Sequence, residues 1–210
     1  MSHPFATPAR LRRFQVEITT GCNLRCAGCQ RTLGMEQGTW RNAHMPPARF
    51  AAVLANAPPA DVLILQGIGE PTLHPQLADL IRTANACGKF GVVSFNTNAL
   101  VRTPAAYAAL RAAGLGHVSI SVDSLDPAVA EDLRAGTDVT RLAEAIPALL
   151  AVFSGAVTVS IVASQRNLDD LPTTVGRLHA MGVRTIEVQP LIAYGPVPFA
   201  LDAAGHLRVR

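Results

Sequence analysis

The chain has 210 residues, of which 49% are hydrophobic and 16% are charged, a balance typical of a folded globular protein. Its net charge of +3 is spread along the sequence, so nothing suggests binding to nucleic acid or to an anionic membrane. No uncharged apolar run approaches the roughly 20 residues of a membrane span, and the first residues show no secretory signal. We therefore expect a cytoplasmic protein, in which clustered cysteines bind metal or do redox chemistry more often than they form disulfides.

Six short segments rich in β-branched residues follow one another along the chain, separated by helical stretches rich in alanine and leucine. The predicted strands are residues 14–19, 61–67, 91–98, 117–123, 156–162 and 184–190. Because strand and helix alternate, the pattern predicts βα units, a parallel sheet and right-handed crossovers. A full (β/α)8 barrel usually needs about 250 residues, so the chain supports either an open six-stranded sheet or a partial barrel.

Side-chain alternation within these strands favours the partial (βα)6 barrel, an α/β fold. Most strands carry polar residues on one face, whereas a doubly wound sheet is apolar on both. The polar sets are Gln15, Glu17 and Thr19; Ser94, Asn96 and Asn98; Ser119, Ser121 and Asp123; Thr158 and Ser160; and Thr185, Glu187 and Gln189. We expect a curved sheet whose concave side holds a polar ligand; the alternative is a solvated sheet face. The predicted organisation is a single domain, with an N-terminal extension at 1–13, the barrel at 14–195 and a tail at 196–210.

Three of the four cysteines, Cys22, Cys26 and Cys29, follow the first predicted strand directly. Glycine and asparagine between them favour a loop over a helix, and this loop should lie at the C-terminal mouth of the barrel. Three thiolates can hold three irons of a four-iron cluster and leave the fourth iron open. Structural zinc would need a fourth ligand such as His44 or His74, and neither lies at the spacing of a familiar zinc motif. Cys87 is expected to be a buried small hydrophobe.

The segment "CNLRCAGC" resembles the Cys-x3-Cys-x2-Cys signature of the radical S-adenosylmethionine (radical SAM) superfamily. Further segments resemble that family's motifs in the right order: "GIGEP" at 67–71, "NTNA" at 96–99, "SISVDS" at 119–124 and "VQPLIAYG" at 188–195. The resemblance implies that the three cysteines hold a [4Fe–4S] cluster whose open iron is chelated by S-adenosylmethionine. Reductive cleavage of this cofactor gives a 5′-deoxyadenosyl radical, which takes a hydrogen atom from the substrate.

The resemblance also implies which residues bind the cofactor. Glu70 would contact the methionyl amine, and the glycines beside it would let backbone groups approach the ligand closely. The full implied set is Gly67, Gly69, Glu70, Asn96, Asn98, Ser121, Asp123 and Gln189. The sequence departs from the family at Gly28, where an aromatic residue is usual, and at Ala99, where glycine is usual.

Three hypotheses about function follow from these residues. The first is an oxygen-sensitive radical SAM enzyme that acts on a polar substrate, such as a peptide or small natural product, and receives electrons from a donor such as flavodoxin or ferredoxin. The second is a non-catalytic module whose cysteines hold structural zinc or iron. The third is a family member that binds the cofactor without turnover. The motifs resemble the branch that carries a C-terminal extension with further clusters. The chain therefore either works with one cluster or is a core that needs a partner domain or partner protein.

Overall fold

The computed structural model describes residues 10–191. Most of the predicted N-terminal extension, the tail at 196–210 and the second half of the "VQPLIAYG" segment lie outside the described residues. In chain order the strands are β1 (Leu11–Gln15), β2 (Arg25–Cys26), β3 (Ala60–Ile64), β4 (Phe90–Thr97), β5 (His117–Ser121), β6 (Arg134–Ala135), β7 (Val157–Ala163) and β8 (Ile186–Pro190). The helices are α1 (Gln30–Glu36), α2 (Pro47–Asn56), α3 (Leu77–Ala86), α4 (Pro104–Ala112), α5 (Pro127–Leu133), α6 (Val139–Phe153) and α7 (Leu171–Ala180), with a 3-10 helix at Pro71–Leu73.

Six of the strands form one parallel sheet in the order β1-β3-β4-β5-β7-β8. Each strand lies beside the one that precedes it in this sheet, and a helix precedes every new strand, so the sheet advances in one direction and curls into a half-barrel. The predicted partial barrel is confirmed. Among the described residues, no helix is long and apolar enough to cross a membrane.

The boundaries of the first strand differ from the prediction. β1 begins at Leu11, three residues before the predicted start, and ends at Gln15. The Val16 N–H still donates to the Ile64 carbonyl at 2.9 Å, but the chain then leaves the sheet. Thr19 forms an isolated antiparallel bridge with His44. The residues expected to end the strand instead lead the chain into the cysteine loop.

The hydrophobic core lies between the sheet and the helices that cover its convex side. On β5, Val118 and Ile120 are fully buried, as are Val159 and Ile161 on β7. Phe95 on β4 packs 6.5 Å from Tyr107 of α4, measured between ring centroids. Each such apolar side chain contributes about 1.5–3 kcal/mol on burial. Because successive residues alternate between faces, the polar residues of the same strands line the concave side, as predicted.

Candidate active site

The three clustered cysteines lie on a loop at the C-terminal end of the sheet. Cys22 follows the departure from β1, Cys26 belongs to the short strand β2, and Cys29 is the N-cap residue of α1. β2 pairs in antiparallel fashion with β6, which follows α5. A segment far away in the sequence therefore holds the loop in position. Gly28 has φ of 72°, a left-handed conformation that strains any side chain larger than glycine. The glycine found here in place of the family's usual aromatic residue therefore suits the backbone conformation.

The three thiols line one pocket of about 120 Å³, which we call the thiol pocket. Nine of the eleven predicted site residues line it: Cys22, Cys26, Cys29, Gly67, Gly69, Glu70, Asn96, Asn98 and Ser121. No disulfide joins the cysteines, and among the described residues no three Cys, His, Asp or Glu side chains meet closely enough to hold a single metal ion. The three thiols reach the pocket from the loop after β1, from β2 and from the N-cap of α1.

Hydrogen bonds and burial set the chemistry of these thiols. The Leu24 N–H donates to Cys22 Sγ at 3.4 Å, and Asn98 Nδ2 lies 4.0 Å from the same sulfur. Burial raises the pKa of the Cys22 thiol and of the Cys26 thiol. Metal binding to these residues is therefore coupled to proton release, because a metal takes the thiolate form.

The glycines of "GIGEP" are required by close packing of the chain on itself. A Cβ at Gly69 would lie 2.8 Å from the Gly21 carbonyl oxygen and closer still to that of Thr19. A Cβ at Gly67 would overlap the Glu17 side chain, whose Oε1 accepts from the Ile68 N–H at 2.6 Å. The sequence analysis expected these glycines to let backbone groups approach the cofactor. In the structure the approaching group is the segment that leads into the cysteine loop.

The Glu70 carboxylate is buried and accepts hydrogen bonds from four donors of the chain. Oε1 accepts from the Thr72 N–H at 3.0 Å, from the Thr72 hydroxyl at 2.6 Å and from the Thr97 hydroxyl at 2.8 Å. Oε2 accepts from the Asn98 N–H at 2.8 Å. Glu70 thus joins the "GIGEP" loop to the end of β4, a role that the sequence did not indicate.

Asn98 continues this connection to the cysteine loop. Its Nδ2 donates to Asn23 Oδ1 at 2.8 Å, and its Oδ1 accepts from the Leu100 N–H at 3.0 Å. The next residue, Ala99, has φ of 61°. The turn that the family usually builds with glycine is therefore kept with alanine, at a backbone cost of about 1–2 kcal/mol.

Two arginines that sequence analysis missed also line the thiol pocket. Arg134 pairs with Asp123 at 3.1 Å, and only 16% of its side chain is exposed. Arg31 is 4% exposed; its Nη1 donates to the Leu24 carbonyl at 3.0 Å, while its buried Nε has no partner among residues 10–191. Both guanidinium groups carry positive charge to the lining of the pocket, so they would attract an anionic group bound there. Arg31 lies two residues after Cys29 but belongs to no motif that sequence analysis singled out, whereas only the fold brings Arg134 to the thiols.

Asp123 does not line the thiol pocket but a neighbouring cavity of about 670 Å³. Both carboxylate oxygens already have partners: Oδ2 accepts from Arg134, and Oδ1 accepts from the Val162 N–H at 2.8 Å. Most of the other lining residues of this cavity are small or apolar, such as Gly28 and Leu133, and it shares Cys26, Cys29 and Arg134 with the thiol pocket.

The concave side of the sheet forms a third cavity of about 700 Å³, the concave cavity. It contains most of the predicted polar lining: Gln15, Ser94, Asn96, Ser119, Thr158, Ser160, Glu187 and Gln189. Gln189 therefore lies here and not with the thiols, whereas Asn96 and Gln66 line both this cavity and the thiol pocket. His117 also lines this cavity and bridges Ser94 Oγ and Thr158 Oγ1 at 3.0 Å each.

Comparison with known proteins agrees with this geometry. The model of a family described as the radical SAM superfamily matches residues 16–178, which contain the thiol loop and most strands of the sheet. The chain belongs to the radical SAM superfamily. Members use a [4Fe–4S] cluster and S-adenosylmethionine, and this membership favours the first hypothesis over a zinc-binding module.

Relatives within the superfamily act on different kinds of substrate. The chain is 28% identical over 179 residues to the PqqA peptide cyclase of Ruegeria pomeroyi, covering 82% of this chain and 45% of that protein. It is 29% identical over 179 residues to the GTP 3′,8-cyclase of Chlorobaculum tepidum, covering 84% and 53% respectively. The chain thus spans about half the length of these relatives.

Solved structures of the superfamily share the fold. Streptococcus suis SuiB bound to S-adenosylmethionine matches with a TM-score of 0.69 at 15% identity, over 92% of this chain and 44% of SuiB. SuiB bound to its precursor peptide SuiA matches with a TM-score of 0.68 at 14% identity, over 86% and 39%. At these low sequence identities, the structural similarity shows that the chain shares the half-barrel fold and nothing more.

Proposed function

We propose that this radical SAM protein is an enzyme that reductively cleaves S-adenosylmethionine at a [4Fe–4S] cluster and abstracts hydrogen from a peptide. The observation that carries the proposal is the gathering of Cys22, Cys26 and Cys29 around one pocket together with the "GIGEP" loop. The proposal treats residues 14–195 as one barrel domain that contains the cofactor and substrate cavities. When bound, the reduced cluster supplies the electron that cleaves the cofactor, and the resulting 5′-deoxyadenosyl radical takes the hydrogen.

The three cysteines are the proposed cluster ligands. Their thiolates would take one iron each and leave the fourth iron for the cofactor. The positive charge of Arg31 at the pocket supports this assignment, because a cluster held by three thiolates places negative charge there. The Leu24 N–H bond to Cys22 would stabilise the thiolate and help to set the cluster potential.

The groups around the thiol pocket suit the charged end of S-adenosylmethionine. Arg134 is the proposed partner of the methionyl carboxylate, and Asp123 positions it by pairing with its guanidinium. The ammonium group is proposed to approach Glu70 Oε2, which accepts only one hydrogen bond from the described part of the chain and can take another. Gly67 and Gly69 hold this loop against the cysteine segment.

The remaining predicted residues are proposed to line the path from cofactor to substrate. Asn96 belongs to both the thiol pocket and the concave cavity, so it lies between the two. Ser121 borders the cofactor from the end of β5, and Gln189 faces the substrate from β8. The 670 Å³ cavity beside Gly28 is the proposed adenosine site, where the missing aromatic side chain leaves room.

A peptide fits the concave cavity better than a nucleoside triphosphate does. Among its described lining residues the cavity has one arginine and one glutamate, so their formal charges cancel. A triphosphate needs several cations or a metal to balance its charge, whereas a peptide backbone needs donors and acceptors such as these serine, threonine and amide groups. The comparisons with PqqA peptide cyclase and with SuiB bound to SuiA support the same choice.

The electron donor and the compartment complete the proposal. Reduction of a low-potential cluster requires a one-electron carrier, and we propose a flavodoxin or ferredoxin. Reduced, metal-binding thiols suit the cytoplasm, where glutathione and thioredoxin keep cysteines reduced.

Electron paramagnetic resonance of anaerobically reconstituted, dithionite-reduced protein tests the proposal. We expect a reduced [4Fe–4S] signal that changes when S-adenosylmethionine is added, because an open iron gains new ligands. Cys22→Ser should lose this signal, whereas Cys87→Ser should keep it, since Cys87 lies at the end of α3 and outside the thiol pocket. Protein that holds zinc tightly and builds no cluster would overturn the proposal in favour of the structural module. A cluster whose signal does not change when S-adenosylmethionine is added would overturn the proposed cleavage of this cofactor.

A further inference from the structure

The concave cavity carries two charges of opposite sign at its two edges. Arg13 lies on β1 and Glu187 on β8, the outer strands of the sheet. Both side chains are exposed, and neither makes a hydrogen bond or an ion pair with any residue in 10–191. Apart from His117, every other described lining residue is uncharged at all pH values near neutrality.

His117 does not neutralise Glu187. Both ring nitrogens are engaged, one with the Ser94 hydroxyl and the other with the Thr158 hydroxyl. Burial lowers the pKa of His117, and the nearby Glu187 carboxylate opposes that shift. The neutral imidazole therefore places no positive charge beside Glu187. Glu187 is the one anion among the described residues that line this cavity.

The surroundings of Glu187 offer acceptors to a cation. Ser160 lies directly opposite Glu187 in the β7–β8 register, and Gln189 follows two residues later on the same face. A carboxylate, a hydroxyl and an amide carbonyl together can accept the three donors of a lysine ammonium, or several of the five donors of an arginine guanidinium. The carboxylate would repel a phosphate or a second carboxylate at the same place.

Arg13 is the complementary group at the other edge. Strands lie about 4.8 Å apart, so the two outer strands of this six-stranded sheet are about 24 Å apart along its surface, and less across its curve. An extended peptide advances about 3.3 Å per residue, so about seven residues bridge the two edges.

We propose that the substrate peptide lies across the strands with a basic side chain bound at Glu187 and an acidic side chain bound at Arg13, within about seven residues of each other. This inference rests on the proposed function, because it assumes that the concave cavity holds the peptide substrate. It adds the charge pattern of that peptide and its course across the strands.

A peptide selection tests the inference. The probe is a random dodecapeptide display library, selected anaerobically against cluster-loaded protein with S-adenosylmethionine. Wild type should enrich peptides with lysine or arginine within about seven residues of aspartate or glutamate. Glu187→Gln should reduce the enrichment of basic residues about tenfold, equivalent to about 1.4 kcal/mol. Glu187→Lys should invert that preference, and Arg13→Gln should remove the preference for acidic residues.

Glu144→Gln is the matched control, because Glu144 is exposed on α6 outside the concave cavity and should leave the selection unchanged. Enriched peptides without a charge pattern, or a pattern that survives Glu187→Gln, would overturn the inference and leave the peptide substrate intact. If wild type enriches no peptides, the peptide assignment fails and this inference fails with it. The resonance experiment above reports separately on the cofactor chemistry.

Discussion

Replacement of Glu70 by glutamine separates its contacts within the chain from its proposed contact with the cofactor. The side chain keeps its shape, but one carboxylate oxygen becomes an NH2 group that can only donate. If the NH2 group replaces Oε2, it faces the Asn98 N–H; if it replaces Oε1, it faces the Thr72 N–H. Threonine hydroxyls can rotate to accept, but a backbone N–H cannot. In both orientations one buried backbone donor loses its acceptor.

The loss of one such acceptor costs about 1–3 kcal/mol. For a protein of about 150–250 residues, each kcal/mol shifts Tm by about 2–4 °C, so we expect Glu70→Gln to lower Tm by roughly 2–12 °C. The measurement is urea and thermal unfolding of the cluster-free protein under reducing conditions, followed by circular dichroism. Glu144→Gln should stay within about 0.5 kcal/mol of wild type, since that side chain is exposed. If cluster-free Glu70→Gln unfolds at the wild-type midpoint, the hydrogen-bond network around Glu70 does not support the fold, and the reasoning is refuted.

Two further predictions concern packing and pH. Gly69→Ala should destabilise the protein by about 1–3 kcal/mol and reduce iron incorporation, because the new Cβ collides with the backbone before Cys22. The control is Gly176→Ala on α7, where a new Cβ meets nothing within 4 Å. This variant should stabilise the protein by about 0.5–1 kcal/mol. Equal urea midpoints and iron contents for the two variants would contradict this. Burial lowers the pKa of His74 from its ordinary value of 6.5, so the folded state binds this proton less tightly than the unfolded state, and stability should decline as pH falls below 6.5. Urea midpoints measured between about pH 5 and 7 should show this decline, with a smaller slope in His74→Gln; a flat profile in wild type would refute it.

The sequence predicted the features that depend on local patterns. Alternation of strand and helix predicted six parallel strands. β1 differs from the prediction because it begins three residues early and ends at Gln15, where the chain leaves the sheet to form the cysteine loop. The period of two within strands predicted which residues line the concave cavity, since successive side chains point to opposite faces. The resemblance to family motifs implied that the cysteines and "GIGEP" serve one site, and both segments line the thiol pocket.

Contacts between distant segments were not predictable in this way. The sequence marks Glu70 as a candidate cofactor residue, but only the fold brings its carboxylate to the backbone of Asn98, 28 residues later. Arg134 reaches the thiols because β6 pairs with β2, two strands of two residues each, which are too short to leave a pattern.

The sequence by itself determined the fold class, the family and the thiol ligands proposed for its cluster, because periodicity and motif spacing are local properties of the chain. The tertiary structure decided which charges lie beside the thiols and which line the concave cavity. Arg31 and Arg134 lie with the thiols, whereas Arg13 and Glu187 lie at opposite edges of the concave cavity. These positions depend on how the loops and outer strands pack, and no repeating pattern in the chain encodes them.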